Sequence, residues 1–374
     1  MVQEIQKHMK SYLSLRYKSP ALWSFLSFVL LSSDSDLEKF DLRKYCPSET
    51  GLLGLLPVVR ASTKALLCGC GLSPHSCAPL ASVLSSSSLT HLDLSHNDLQ
   101  DSGVELLCSG LKSAPCRLET LRLCGCLVSE RGGAALASAL SSTTCRLREL
   151  DLSYNHPGPS AELLTALRDD PHCSLQSLRL DPAGEKWMVP GLRKYFCEFS
   201  LDPNTAHRNL KLSEDKRTAT HVRQTQPYPD HEDRFAEHYQ VLSRTGLSRC
   251  CYWEVEWSGP DVEISASYGG IARRGESEEC LFGRNDRSWS LVVFNGQFSF
   301  EHDNRQTPLS SSSLGFRRSG RVSVFLDSDA GSLSFYEVLS GGELFHLHTS
   351  SSSFTEPLFP GFRALGEGSS LCLW

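Results

Sequence analysis

The chain contains no Gly-Lys pair. A P-loop requires Gly-x-x-x-x-Gly-Lys-[Ser/Thr], whose amides and lysine hold phosphates, so that route to nucleotide binding is closed. No Asn-X-Ser/Thr acceptor occurs, which points away from a glycosylated secreted protein. Positive charge is also short: 37 Lys and Arg stand against 43 Asp and Glu, a net −6. A nucleic-acid binder carries a basic stripe that displaces counterions, so no nucleic-acid partner is expected. No apolar run reaches the ~20 residues that cross a bilayer. Residues 21–31 (ALWSFLSFVLL) come nearest. Lys7, Lys10, Arg16 and Lys18 precede them, as in a secretory leader, but residues 32–36 are polar and acidic and hold no small-X-small cleavage pattern. A buried amphipathic helix is the expectation there.

Cysteine is abundant. There are 15, an odd number, and nine of them fall between Cys68 and Cys173. In a chain of 374 residues this is not a small disulfide-stapled scaffold. Most of them read as small buried hydrophobes in a reducing, cytoplasmic compartment. Cys68-X-Cys70 and Cys124-X-Cys126 have the form of zinc ligands. They occupy matching repeat positions on next-but-one strands, however, and two spacings of ~4.8 Å keep four thiolates from one tetrahedral ion. Residues 231–235 (HEDRF) lack the second histidine of a zinc-protease helix, and residues 213–216 (SEDK) match S-x-x-K without its companion motifs. The 13 histidines are scattered. No nucleophile and base converge, so the chain is not expected to be an enzyme, and no catalytic residue, metal or cofactor is expected.

The internal repetition is clear. Residues 89–99 (LTHLDLSHNDL), 118–128 (LETLRLCGCLV), 147–157 (LRELDLSYNHP) and 175–181 (LQSLRLD) align without gaps, with starts 29, 29 and 28 residues apart. A fainter copy stands at 62–72 (STKALLCGCGL). Between copies, residues 103–113 and 132–142 carry apolar residues at helical spacing. The leucines of L-x-x-L-x-L point into a core shared with the next copy, and the residues between them face outward on a parallel strand. One unit cannot bury its own apolar face, so the units must stack. Each strand-loop ends at Cys70, Asn97, Cys126 or Asn155, where a small polar or thiol side chain sits beneath the turn and Asn satisfies loop backbone groups.

Beyond residue 191 the helical period gives way to strands. In residues 289–300 (WSLVVFNGQFSF), Asn295-Gly296 signals a type I′ hairpin that sets Val293 opposite Phe298 and Leu291 opposite Phe300. In residues 321–336 the loop Ser328–Gly331 sets Val324 opposite Phe335 and Leu326 opposite Leu333. Trp253, Val255 and Trp257 alternate with glutamates, predicting one apolar face and one wet face, as in a sandwich of antiparallel sheets.

Both halves resemble known families. The Cys/Asn alternation resembles leucine-rich repeats of the ribonuclease-inhibitor type. Residues 201–206 (LDPNTA), 210–213 (LKLS), 228–235 (YPDHEDRF), 252–255 (YWEV), 324–327 (VFLD), 331–336 (GSLSFY) and 354–360 (FTEPLFP) together resemble the PRY/SPRY domain of tripartite-motif proteins and fish-type immune receptors. Residues 40–59 followed by such repeats resemble the corresponding region of NOD-like receptors. The resemblance implies an α/β leucine-rich-repeat solenoid, with parallel strands and outer helices, then an all-β antiparallel PRY/SPRY sandwich. It implies a helical N-terminal segment at 1–60, repeats at 61–181, a linker at 182–191 and the PRY/SPRY domain at 192–374. The implied role is a cytoplasmic protein–protein interaction module of innate-immune sensing or scaffolding. Two others are a substrate-recruiting adaptor for ubiquitin ligation with a RING partner in trans, and a regulator of full-length receptors. The receptors' ATP-driven switch does not carry over without a P-loop.

Two sets of residues are candidates for binding proteins. Asp93, Arg122, Asp151 and Arg179 lie between the last two leucines of successive repeats and form a column of alternating charge. It reads either as a ligand-contacting stripe or as a self-neutralising ladder. In the second half the candidates are Tyr228, Asp230, Arg234 and Trp289, because aromatics and arginine dominate binding hot spots. The alternative is internal: Tyr228–Phe235 locks PRY onto SPRY, Arg234 sits in an ion pair and Trp289 in the core.

Overall fold

The computed structural model describes residues 20–32, 38–312 and 317–374. They form two compact units, Met1–Lys194 and Tyr195–Trp374.

In the first unit, strands and helices alternate. The helices are α1 (Pro20–Ser32), α2 (Glu49–Ala61), α3 (Cys77–Leu84), α4 (Gln100–Leu111), α5 (Glu130–Leu140) and α6 (Ser160–Asp169). The strands are β1 (Lys39–Asp41), β2 (Lys64–Leu66), β3 (His91–Asp93), β4 (Thr120–Arg122), β5 (Glu149–Asp151) and β6 (Ser177–Arg179). All six pair in parallel and in chain order. Leu92, Leu121 and Leu150 stand side by side and buried, flanked by Leu89, Leu94, Leu118, Leu123, Leu147 and Leu152 in the same core. The leucine period thus appears as strand register: His91 faces Thr120, which faces Glu149, which faces Ser177. The sheet also begins earlier than expected. Strand β1 lies inside the segment read as helical, because residues 37–42 (LEKFDL) keep the L-x-x-L-x-L form with Phe40 in place of a leucine.

The asparagine positions tie neighbouring loops together. The Asn97 side-chain oxygen accepts the amides of Cys70 and Leu72, both at 3.0 Å, in the preceding copy. Its amide group donates to the carbonyls of Leu67 at 2.9 Å and Leu94 at 2.7 Å. Cys126 returns the contact, its thiol donating to the Leu94 carbonyl at 3.1 Å. The segment expected as a linker hydrogen-bonds to these loops. Gly184 donates its amide to the Asn155 carbonyl at 2.9 Å, Gly191 donates to Asp98 at 3.1 Å, and the Lys194 ammonium donates to the Gly125 carbonyl at 2.7 Å. Trp187 meets the Tyr154 ring edge-on at 4.8 Å.

The second unit is a sandwich of two antiparallel sheets. Its strands are β7 (Leu210–Leu212), β8 (Thr218–His221), β9 (Gln240–Leu242), β10 (Cys250–Ser258), β11 (Asp261–Tyr268), β12 (Ser288–Phe294), β13 (Gln297–His302), β14 (Arg305–Pro308), β15 (Ser319–Asp327), β16 (Ser332–Val338), β17 (Leu344–Ser351), β18 (Leu358–Ala364) and β19 (Ser370–Leu373). One sheet runs β17-β16-β15-β10-β19-β8-β7 and the other β14-β13-β12-β11-β18-β9. Both hairpins have the expected register, Val293 with Phe298 and Val324 with Phe335. Asn295 and Gly296 have φ of 50° and 77°, as the turn requires. Trp253, Val255 and Trp257 enter the core between the sheets with Ile264, Leu291 and Phe362.

Two expectations need correction. The glutamate face of β10 is not wholly wet: Glu254 is buried and accepts the Tyr252 hydroxyl at 2.6 Å and the Arg321 guanidinium at 3.3 Å. The expected reducing compartment also meets a contrary feature, since a disulfide joins Cys197 to Cys251 across a Cα–Cα distance of 5.5 Å. Of the remaining cysteines, all but Cys173 and Cys372 are buried.

Candidate functional site

Strand register places Asp93 beside Arg122, Arg122 beside Asp151, and Asp151 beside Arg179. The column therefore exists, but it does not close into ion pairs. Among the described residues, none of the four lies within 4.0 Å of an oppositely charged member of the set. The aspartates turn along their own strands instead. Asp93 accepts the Ser95 amide at 3.0 Å. Asp151 accepts the Ser153 amide at 2.9 Å and its hydroxyl at 2.6 Å. These contacts close the strand exits as Asx turns and draw Asp93 almost wholly inside. The self-neutralising ladder is thus corrected: the loops take the carboxylates, while Arg122 stays half-buried and Arg179 exposed. His91 flanks the column, and burial is the main cause of its lowered pKa.

The four candidates of the sandwich divide. Arg234 is only 6% exposed. Among the described residues it makes no ion pair; its guanidinium donates to the backbone carbonyls of Pro203 at 2.7 Å, Pro229 at 2.8 Å and Ala206. It also lies over the Tyr228 ring, 5.1 Å from the centroid. Burial lowers its pKa, and the nearby Arg208 adds to this. The Tyr228 hydroxyl accepts the Leu212 amide at 3.1 Å and donates to the Leu210 carbonyl at 2.9 Å, binding its loop to β7. Trp289 is 1% exposed, stacked on His302 at 4.7 Å and edge-on to Tyr268 and Phe354. The hot-spot reading of Arg234 and Trp289 is therefore corrected, because neither offers surface. Only Asp230 stands fully in solvent, where it pairs with Arg208.

Residues 199–247 match PRY, the SPRY-associated domain, and residues 250–373 match the SPRY domain. The second unit is a PRY/SPRY module. A leucine-rich repeat matches at residues 85–108 in the first unit. Stonustoxin subunit beta of Synanceia horrida is 38% identical over 173 residues, 46% of this chain and 24% of that protein. Tripartite motif-containing protein 14 of Mus musculus is 33% identical over 216 residues, 54% of this chain and 47% of that protein. The solved TRIM65 PSpry domain aligns with 49% of this chain and 92% of its own at 28% identity, with a TM-score of 0.44. The chain thus spans about a quarter of the toxin subunit and under half of the tripartite-motif relative.

Sequence reasoning missed a polar layer in the PRY/SPRY module. On β11, Glu263 is 3% exposed and pairs with Arg363 of β18. On β13, Glu301 is equally buried and meets Arg284 at 3.0 Å. Burial pushes both carboxyls above the usual range, and in each case the arginine opposes it. Ser265 and Ser290 share a hydrogen bond of 2.8 Å between the neighbouring strands β11 and β12. Residues 280–283 lie over part of the same sheet: Gln240 donates to the Cys280 carbonyl at 2.8 Å and accepts the Phe282 amide at 3.0 Å. A signal was present in the sequence, since glutamate and serine alternate with apolar residues on β11, but alternation alone does not reveal a cover.

Proposed function

We propose that this chain is a non-enzymatic, cytoplasmic protein-interaction protein, receptor-like in innate immunity, built as a leucine-rich-repeat solenoid joined to a PRY/SPRY module. The presence of PRY and SPRY domains supports protein interaction as the module's general role. One observation carries the reading for the repeats. On a single strand face, Arg122 and Arg179 have no ion-pair partner among the described residues, while Asp93 and Asp151 are taken by their own loops. Two guanidiniums held in register two strands apart suit an acidic protein segment, which arginine recognises through paired hydrogen bonds. Capture from cell extract by the whole chain, beside an Arg122→Ala/Arg179→Ala chain of equal stability, tests this. The same partners bound equally by both would remove the repeat face from the reading.

The Cys197–Cys251 disulfide opposes a reducing compartment. Trapping of thiols at the moment of lysis separates the cases: a reduced pair supports the cytoplasmic reading and an oxidised pair overturns it. The likeness to tripartite-motif proteins favours one second reading, a substrate-recruiting arm for ubiquitin ligation. Co-purification with a ligase rather than with receptor chains would select it over a regulator of full-length receptors.

A further inference from the structure

On the strand face that carries Arg122 and Arg179, a second row of side chains has its own charge pattern. Strand register places Lys39 of β1 beside Lys64 of β2, Lys64 beside His91 of β3, His91 beside Thr120 of β4, and Thr120 beside Glu149 of β5. Paired positions on parallel strands project to one side of the sheet, while the next residues, Phe40, Ala65 and Leu92, are buried on the other. Lys39 and Lys64 are thus like charges in register on strands about 4.8 Å apart, an arrangement that is destabilising on its own.

The carboxylates nearby do little to offset them. Asp41 is buried and held by the Arg43 guanidinium at 2.9 and 3.0 Å, and Asp93 is taken by its own loop. Glu38 lies 3.8 Å from Lys64, with side chains 74% and 49% exposed, where an ion pair contributes little. Lys39 is exposed and has no ion-pair partner among the described residues. Further along, the row turns acidic, and the Thr120 hydroxyl donates to Glu149 at 3.5 Å. Four strands span about 14 Å, the length of roughly four to five residues of extended chain. We propose, building on the acidic-segment reading of this face, that Lys39 and Lys64 bind the carboxylates of an extended acidic protein segment that crosses β1–β4, with Arg122 at its far end and His91 beneath it.

His91 makes such binding pH-dependent. Burial is the first cause of its lowered pKa; Asp93 and Glu149 oppose the shift, and Arg122 and Lys64 add to it. A carboxylate laid over the ring favours its charged form. The segment should therefore bind more tightly as pH falls, over a range in which glutamate carboxyls stay ionised.

Fluorescence anisotropy of a fluorescein-labelled hexaglutamate peptide on the whole chain tests this, with hexaglutamine as the neutral control. Lys39→Ser/Lys64→Ser should weaken hexaglutamate binding about fivefold or more at unchanged melting temperature, and Lys39→Arg/Lys64→Arg should keep it within about twofold. Going from about pH 7.5 to about pH 6 should tighten binding about threefold in the parent and leave His91→Gln unchanged. Four results would overturn the proposal: hexaglutamate bound no better than hexaglutamine, binding indifferent to Lys39→Ser/Lys64→Ser, an affinity that does not change with pH, or tighter binding of an oligothymidylate of equal charge, which would make a nucleic acid the partner. An Arg122→Ala/Arg179→Ala chain run alongside separates the two readings. Loss of binding there, with none in Lys39→Ser/Lys64→Ser, overturns the lysine site and leaves the arginine pair standing; the reverse pattern supports the lysine site and removes the arginines.

Discussion

The side-chain oxygen of Asn155 accepts the backbone amide of Cys126 at 3.0 Å, across 29 residues of chain. It accepts the Val128 amide at 2.9 Å as well, and its amide group donates to the carbonyls of Leu123, Leu152 and Ser153. One fully buried side chain therefore satisfies backbone groups in two loops. Asn155→Ala strands several of them without water, at about 1–3 kcal/mol for each buried group left bare. The expected loss is about 3 kcal/mol or more, read by urea denaturation with a probe in the first unit. Asn155→Asp keeps the acceptor and loses the donors, so it should fall between. A loss below about 1 kcal/mol for the alanine variant would mean that other groups or water serve the loops.

Arg234 acts as an internal clamp on three carbonyls. Arg234→Ala should lower the stability of the PRY/SPRY module by about 3 kcal/mol, since hydrogen bonds to a charged donor each contribute about 1.5–3 kcal/mol. Arg234→Lys should not restore it, because a point ammonium cannot reproduce the planar fork. If Arg234→Ala abolished partner binding in a module of unchanged stability, the clamp assignment would fail.

The Glu263–Arg363 pair sets a pH dependence. A carboxyl whose pKa is raised in the folded state contributes stability that is fully present below its unfolded value near ~4.3 and is lost as pH rises through the folded value. Removal of the guanidinium in Arg363→Met raises Glu263 further, because burial then acts unopposed. Stability should then fall more steeply from acid to neutral pH than in the parent, with a loss of about 3–5 kcal/mol at pH 7. Glu263→Gln/Arg363→Met should recover most of that loss and flatten the profile. Urea midpoints at pH 5 and pH 8 decide it; equal slopes for Arg363→Met and the parent would be the contrary result.

Asp151 separates a loop role from a contact role. Asp151→Asn keeps an acceptor for the Ser153 amide and should change stability by less than about 0.5 kcal/mol. Asp151→Arg loses the turn and places three arginines in a row, so about 1–2 kcal/mol of destabilisation is expected. Thermal unfolding of both variants checks this, and identical melting would show that the turn contributes nothing.

The repeat register was legible because leucines at a 28–29-residue spacing admit only one stacking. The same form in residues 37–42 was hidden by Phe40, which fills a leucine position with a larger ring. The hairpins were legible because Asn295-Gly296 fixes both turn type and pairing. The fates of Arg234 and Trp289 were not, since composition cannot separate an anchor held inside from one offered outside. The buried glutamates were hidden for another reason. Arg321 lies 67 residues from Glu254, and Arg363 lies 100 from Glu263, so only the folded sheets bring the charges together.

The alternation of cysteine and asparagine beneath the turns also constrains how such an array can lengthen or shorten. Asn97 serves the loop of Cys70, and Asn155 serves that of Cys126. Excision of the Asn97 copy alone would set two cysteine loops side by side and leave the amides of Cys70 and Leu72 without their acceptor. Excision of two consecutive copies would restore the alternation at the new junction. Insertions and deletions that survive selection should therefore come in even numbers of copies, a parity rule written by hydrogen bonds rather than by the leucines.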